Sequence, residues 1–553
     1  MTSEIERDGG AARPGRSQSR LSRRGFLGAG AGALATLPAL PAAAAEPAMS
    51  GMNHAHGPAA AQPSAGTAAV PPGDGRLLRV PFTAGEPLVE PEVRRAVDGV
   101  LATTLRAAYA YRDVGGYRLF VRTYEGTVPG PTLRLAPRDT LKIDVVNDLP
   151  PNRDPMPAYI DQPHRLNTTN FHFHGAHVDP GGISDNVMRS MEPGLTHKIA
   201  ITLPEDHPRG SYWYHPHHHG SADVQLASGM VGAVVIEGDF ADVPEIAAAR
   251  ERVLVLSEIV HDGFGMIEGF ETLFPETAAR FFTINGQRAP EIDMRPGEVQ
   301  RWRLFHTGYQ DDFYLKLDGH TLQAIARDGM PLPRMGTREI RSDADATDPD
   351  AILIAPGQRI DILVKAGAPG LYDLKGLPYD QGYPSPTGLF ARIRVAGDPM
   401  DMALPAALPP APFPDITDAE ITGRRTLTFS AITPEADAAG HWSEFSFLID
   451  GKPFDMNRVD QRVKLGAVEE WTVVNAHRDD HIFHIHVNPF QLVAVNGAKL
   501  TEPVWLDTAV LPRGGSITFR SRFLDFAGTF MLHCHMMNHE ELGMMQVVEV
   551  YEE

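Results

Sequence analysis

The chain has 553 residues, of which 42% are hydrophobic, and its 50 Lys and Arg against 70 Asp and Glu give a net charge of −20. One domain typically holds about 100–200 residues, so this length predicts three or more domains with sizeable cores. The acidic balance and the lack of basic runs interleaved with aromatic residues after the N-terminal segment exclude nucleic acid as an expected partner.

Residues 1–45 have the layout of an export signal. Arg23 and Arg24 precede an apolar stretch rich in Gly and Ala, and small residues stand before Glu46. The stretch is short and contains Pro, which favours a signal cleaved after Ala45 over a retained membrane anchor. The run SRRGFL also resembles a bacterial twin-arginine signal. We therefore expect export to the periplasm or the exterior, with no membrane span in the mature form.

The rest of the chain reads as a leader followed by β-strands. Residues 46–76 are rich in Ala, Pro and Gly without periodicity, which predicts a flexible leader. From residue 77 onward, alternating runs such as TLRLAPRDTLKIDVV are separated by Gly and Pro, and this pattern returns roughly every 160 residues. It predicts an all-β fold of three similar β-sandwich domains in tandem. Their expected ranges are 77–240, 241–402 and, after a Pro-rich linker at 403–416, 417–553.

Four segments concentrate the histidines: NFHFHGAHVDP (170–180), YWYHPHHHGS (212–221), DHIFHIHVNPFQLV (480–493) and LHCHMMNHEELGMM (532–545). Side chains two residues apart on a strand point to the same face, so each segment presents a pair of imidazoles to one site. No carboxylate is interleaved with the pairs, which disfavours a site for a hard cation. The sequence predicts a cluster of several metals held by His172, His174, His215, His217, His484, His486, His533 and His535. Isolated histidines such as His477 are assigned to the surface or the core.

Cys534 is the only cysteine. In an oxidising compartment such a residue is a metal ligand, a reactive thiol or part of the core. It faces away from its two neighbouring histidines, and His481 faces away from the pair that follows it. With His539 and Met544 from the following loop, these residues form the ligand set of a blue-copper electron-transfer site. Structural zinc would more often use two or more thiolates, so the pattern favours copper.

With these motifs in this order, residues 77–553 resemble the three-domain multicopper oxidases, which are built from cupredoxin domains of Greek-key β-sandwich fold. The resemblance implies four copper ions: one of type 1, one of type 2 and two of type 3. It assigns the type 1 copper to His481, Cys534, His539 and Met544. It assigns the type 2 copper to His172 and His484, and the type 3 coppers to His174, His215, His217, His486, His533 and His535. The resemblance places the three-copper cluster between the first and third domains.

The resemblance also implies the reaction, which is the reduction of dioxygen to water by four electrons that enter singly through the blue site. Cys534 then carries each electron to the two adjacent histidines. Asp185 and Glu540 stand where the family places acids that supply protons, although a loop aspartate and a solvated glutamate are competing interpretations. Two departures concern the third motif, in which Ile482 and Val487 replace the common Pro and Gly. Neither residue is a ligand, so we expect metal binding to survive and the donor-side surface to be altered.

The expected function is laccase-type oxidation of phenolic or similar aromatic donors. The alternative is oxidation of Cu(I) or another metal ion, in copper tolerance, by the same sites. A Met-rich insertion common in cuprous oxidases is missing, which disfavours that alternative. Asp479 and Asp480 are candidates for accepting a donor's proton or attracting a cation. A copper nitrite reductase lacks the paired histidine motifs, and a copper protein without turnover also remains an alternative. We expect a monomer, because three domains in one chain can close the cluster.

Overall fold

A computed structural model describes residues 77–552 except 154, 158–159, 268–272, 274–278, 337–345 and 433–445. The expected signal (1–45) and leader (46–76) lie outside the described residues. Within the described part of the chain, no helix combines the length and apolar character needed to cross a bilayer.

The first unit contains two five-stranded sheets, with strand orders β1-β4-β3-β6-β8 and β2-β5-β10-β9-β7. Two short helices, α1 (Ala222–Ala227) and α2 (Pro244–Ala247), flank the last strand. The strands are β1 (Leu78–Arg79), β2 (Val93–Arg95), β3 (Val100–Val114), β4 (Tyr117–Tyr124), β5 (Thr132–Leu135), β6 (Thr140–Asn147), β7 (His172–His174), β8 (Thr196–Thr202), β9 (Gly210–His215) and β10 (Gly232–Ile236).

The second unit pairs a six-stranded sheet, β12-β11-β14-β19-β16-β17, with a five-stranded sheet, β13-β21-β20-β15-β18. The strands are β11 (Arg250–His261), β12 (Ala279–Ile284), β13 (Glu291–Met294), β14 (Val299–His306), β15 (Phe313–Leu317), β16 (Gln323–Arg327), β17 (Met330–Gly336), β18 (Ile352–Ile354), β19 (Arg359–Lys365), β20 (Gly370–Gly376) and β21 (Gly388–Val395).

The third unit repeats this plan with sheet orders β23-β22-β25-β30-β27-β28 and β24-β32-β31-β26-β29. One short helix, α3 (Met537–Glu541), precedes the last strand, and a single 3-10 turn covers Asp418–Glu420. The strands are β22 (Gly423–Ile432), β23 (Ser446–Ile449), β24 (Val459–Lys464), β25 (Ala467–Asn475), β26 (His481–Ile485), β27 (Phe490–Val495), β28 (Ala498–Leu506), β29 (Thr508–Leu511), β30 (Ser516–Phe523), β31 (Gly528–Cys534) and β32 (Met545–Tyr551).

Alternating hydrophobicity explains the two-layer packing. In β6, Leu141, Ile143 and Val145 are buried, whereas the residues between them are half-buried or exposed. A strand with this period turns all its apolar side chains to one face, where a second sheet covers them. The prediction of an all-β chain with three tandem sandwiches is confirmed.

Strand pairing brings the histidine segments together. In the first unit β7 pairs with β9, with His172 opposite His215. In the third unit β26 pairs with β31, with His484 opposite His533. Both members of the first pair lie within β7. In the other three pairs the first histidine is in the strand and the second follows the strand's end, so alternation on a regular strand holds only as far as that end.

Candidate metal centre

The eight paired histidines converge between the first and third units. All of them are buried. The ring centroids of His174 and His484 are 4.0 Å apart, and those of His172 and His486 are 4.1 Å apart, so rings of the two units stack face to face. The sequence prediction that distant segments share one cluster is therefore matched by the geometry.

Within the cluster, three ring nitrogens point at one another. His533 Nε2 lies 3.1 Å from His217 Nε2 and 3.3 Å from His486 Nε2. A neutral imidazole has one N–H donor and one acceptor, so three nitrogens that converge in this way are better satisfied by a shared cation than by one another.

A second set of three histidines consists of His535 and two neighbours, His174 and His215. The ring centroid of His535 is 4.8 Å from that of His174 and 5.5 Å from that of His215. The remaining two, His172 and His484, have ring centroids 6.3 Å apart. These distances are compatible with two sets of three imidazoles and one pair, which is the division that the family resemblance implies, although His172 also stacks on His486 at 4.1 Å.

The second site lies on the opposite face of β31. Cys534 Sγ is 3.6 Å from His481 Nδ1 and 3.7 Å from His539 Nδ1, and the two imidazole nitrogens are 3.0 Å apart. Met544 is buried beside them, and its carbonyl accepts the Cys534 N–H at 3.0 Å. Cysteine, two histidines and methionine, with no carboxylate among them, are a ligand set suited to copper.

Ring nitrogens without a protein partner provide a test of whether these residues fit a metal. Among the described residues, His172 Nε2, His215 Nε2, His484 Nε2, His481 Nε2 and both nitrogens of His535 are buried with no hydrogen-bond partner. Burial lowers the pKa of these imidazoles, which keeps them in the neutral, metal-binding form. Buried nitrogens normally find a partner, so this concentration fits bound metal ions.

The two predicted acids both contact cluster histidines. Glu540 Oε2 is 2.9 Å from His533 Nδ1, and Asp185 Oδ2 is 3.0 Å from His172 Nδ1. Burial raises the pKa of Asp185 to about 8. Burial also acts to raise the pKa of Glu540, but the adjacent His533 and His217 outweigh it and lower that pKa to about 2. Neither acid is a solvated surface residue.

A third acid was missed by the sequence reasoning. Asp507 Oδ1 lies 3.4 Å from His174 Nε2, and its carbonyl oxygen lies 2.8 Å from His484 Nδ1. The Thr508 hydroxyl lies within 3.2 Å of both imidazoles. Arg359 of the second unit donates to both carboxylate oxygens of Asp507, at 2.7 and 2.5 Å. No metal-ligand spacing marks Asp507 in the sequence, because its contacts with His174 and Arg359 are made between units and those with His484 join separate strands.

Near the blue site, two expectations need correction. Asp480 was a candidate for accepting a donor's proton or attracting a cation, but it is buried and accepts the Tyr379 hydroxyl at 2.7 Å, so it is not exposed to a donor. The ring of His477 stacks on that of His481, 5.2 Å between centroids, and neither of its nitrogens has a hydrogen-bond partner among the described residues. His477 is therefore neither a surface residue nor a satisfied core residue. Asp479 Oδ2 is 3.8 Å from His477 Nδ1.

Comparison with known proteins gives the family. Three family models, each described as multicopper oxidase, match residues 163–240, 261–375 and 425–553. The chain belongs to the multicopper oxidases, and its three sandwiches are cupredoxin-like. It is an oxidoreductase that uses dioxygen, and its buried histidine clusters are consistent with the copper sites of that family.

Individual relatives have low sequence identity to this chain, but the alignments cover most of both chains. The chain is 25% identical over 446 residues to a multicopper oxidase of Staphylococcus aureus, across 77% of this chain and 83% of the relative. It is 25% identical over 503 residues to laccase-2 of Botryotinia fuckeliana, across 78% and 79%. A solved multicopper oxidase of Campylobacter jejuni, described as a metallo-oxidase, has a TM-score of 0.69 at 24% identity, with 85% of this chain and 96% of that chain covered.

Proposed function

We propose that the two sites together hold four copper ions. The blue copper would be held by Cys534, His481, His539 and Met544. The type 2 copper would be held by His172 and His484. The convergence of the side-chain nitrogens of His217, His486 and His533 supports one type 3 ion there. The other would be held by His174, His215 and His535, whose ring centroids lie 4.8–5.6 Å apart. When bound, copper supplies one-electron redox chemistry at the blue site and the reduction of dioxygen at the cluster.

The chain's own residues define how electrons and protons travel. Cys534 is bonded through the main chain to His533 and His535, so a short covalent path joins the two sites. Burial of all these side chains excludes water from the path. Asp185 Oδ2, on a carboxyl whose pKa is raised, is a position from which a proton would be supplied. Glu540 Oε2, on a carboxylate whose pKa is lowered, would take up protons in turn and pass them to the cluster. One dioxygen and four protons take up four donor electrons to give two water molecules.

We propose a phenolic or similar aromatic compound as the electron donor. The observation that supports this is the stacking of His477, whose side chain is 8% exposed, on His481. Asp479, whose side chain is 16% exposed, lies beside it, with Oδ2 3.8 Å from His477 Nδ1. An aromatic donor that stacks there can pass one electron to the site and its hydroxyl proton to the Asp479 carboxylate.

A metal ion is the second candidate donor. The pairing of His477 Nδ1 with Asp479 Oδ2, 3.8 Å apart, offers an imidazole and a carboxylate to a cation. His477 and Asp479 are therefore compatible with an aromatic donor and with a metal-ion donor. Measuring turnover with each donor distinguishes the two hypotheses.

Oxygen uptake by the copper-loaded protein tests the proposal, with guaiacol, Cu(I) and the dye ABTS as donors. Guaiacol loses a proton with its electron, whereas ABTS loses an electron alone. We expect one dioxygen per four guaiacol electrons, without peroxide. Asp479→Asn should lower kcat/KM for guaiacol about 10²-fold, the usual contribution of a general base, and leave ABTS oxidation unchanged. Uptake with Cu(I) but not with guaiacol would favour the metal-ion oxidase. Full copper loading with no uptake from any donor would contradict both.

Copper removal should also destabilise the folded chain. The ligands are buried and partnerless without metal, so an ion bound only by the folded state stabilises it by mass action, by about 2.7 kcal/mol at a concentration of 100 Kd. Calorimetry should show a lower melting temperature after chelation and recovery on reloading. Identical melting of the stripped and loaded protein would contradict buried copper sites.

We also propose export by the twin-arginine route to the periplasm or exterior, and a monomer in solution. The Arg23-Arg24 motif and the apolar stretch after it support export. Fractionation of bacteria that express the full chain, with Arg23→Lys/Arg24→Lys as the control, tests it, and light scattering of the purified protein tests the monomer.

A further inference from the structure

Ile482 occupies a position where this chain departs from the pattern of its family. The third histidine motif commonly begins His-Pro, whereas here His481 is followed by Ile482. Proline has no main-chain N–H, so the substitution adds a hydrogen-bond donor next to a blue-site histidine. From the sequence we expected an altered donor-side surface, but Ile482 is completely buried and is not part of that surface.

The added N–H points at the blue-site sulfur. The Ile482 N–H donates to Cys534 Sγ, with 3.4 Å between nitrogen and sulfur. The peptide around it is held in place on both sides, because Ile482 pairs with Val510 in β29 and its carbonyl accepts the His535 N–H at 2.6 Å. Ile482 and Cys534 are both completely buried, so water does not compete for the sulfur. The hydrogen bond is therefore a fixed part of the site.

A hydrogen bond to a metal-bound thiolate changes the balance between oxidation states. The N–H draws electron density from the sulfur, which then donates less to the metal. The oxidised, more positive ion loses more from this than the reduced ion does. Hydrogen bonding around the cysteine is one of the known determinants of the potential of blue-copper sites, and of iron–sulfur sites for the same reason.

We propose that the Ile482 N–H raises the reduction potential of the blue copper site above the value the same site would have with proline at this position. The proposal rests on the copper ligation by Cys534 proposed above. One electron leaves the donor and reduces the blue site, and the higher potential makes this uptake more favourable. The same shift lowers the driving force for passing that electron on to the cluster. Ile482 thus acts on donor range through Cys534, without touching the donor.

The test compares Ile482→Pro with Ile482→Ala in the full copper-loaded protein. Alanine also removes the buried isoleucine side chain but keeps the N–H, so it controls for lost packing. We expect the midpoint potential of Ile482→Pro to fall below that of Ile482→Ala by at least a tenfold change in the one-electron equilibrium, which corresponds to about 59 mV. The blue absorption band should shift in the proline variant only. Redox titration followed at that band gives the potential independently of turnover.

Equal potentials in the proline and alanine variants would overturn the proposal while leaving the copper sites intact. A wild-type protein with no blue band after copper loading would instead overturn the proposed function. If Ile482→Pro does not fold, pulsed EPR of wild-type protein with ¹⁵N-labelled isoleucine tests whether the Ile482 N–H is bonded to the copper-bound sulfur. Magnetic coupling between copper and an isoleucine nitrogen supports the hydrogen bond, and lack of coupling overturns it.

Discussion

Replacing Cys534 with serine should abolish the blue absorption and nearly all donor oxidation. The hydroxyl of serine is a hard, weakly acidic ligand that does not replace a thiolate on copper. The change also removes the sulfur that begins the covalent path to His533 and His535. The loss of kcat should exceed the roughly 10- to 100-fold losses seen when only a ligand's hydrogen-bond partner is changed. Absorption spectroscopy, copper analysis and oxygen uptake measure these effects.

Met544→Leu is the matched control for Cys534→Ser. Both residues are buried at the same site, but methionine is expected to be a weak axial ligand. Leucine should therefore retain the blue colour and change the potential rather than abolish turnover. EPR should show the type 2 signal in both variants, since His172 and His484 belong to the histidine cluster and not to the site that contains Cys534 and Met544. A blue and active Cys534→Ser protein would contradict the assignment of this site.

The sequence was sufficient to predict which histidines are buried together and that Cys534 lies with His481 and His539, because this geometry is largely local to the strands. Alternation on β31 places Cys534 on one face and His533 on the other, and the sequence shows this directly. The division of the cluster into two sets of three was not accessible in this way. It depends on how β7 and β9 of the first unit meet β26 and β31 of the third, which is decided by packing between units.

The residues that support the ligands were harder to predict. Asp507 follows the last residue of β28 and looks like any strand-end acid in the sequence. Its contact with the cluster histidines depends on the folded structure, in which Arg359, 148 positions earlier in the chain, donates to the Asp507 carboxylate. His477 was misassigned for a related reason, since its stacking on His481 depends on the turn between β25 and β26. Local spacing therefore predicts which candidate ligands come together, whereas their supporting contacts require the folded structure.

Glu540→Gln should slow turnover about 10²-fold or more while leaving the blue colour unchanged. Glutamine has nearly the same shape as glutamate and can keep the 2.9 Å contact with His533 Nδ1, so the cluster should keep its copper. It does not carry a proton, however, and dioxygen reduction consumes four. Reduction of the blue site by a donor without oxygen should keep its normal rate. Return of the blue colour on admitting oxygen should be slow, as measured by stopped-flow absorption.

The adjacent Glu541 provides the control for this experiment. It is equally buried, but it accepts the N–H groups of Gly220 and Ala222 and approaches His219 rather than any proposed ligand. Glu541→Gln should therefore alter stability more than the oxygen reaction. Equal slowing in both variants would mean that any buried carboxyl group near the cluster matters, and normal reoxidation in Glu540→Gln would remove Glu540 from proton supply. Slow reoxidation confined to Glu540→Gln would locate the proton step at the carboxylate that contacts His533, because the neighbouring carboxylate shares its burial but not that contact.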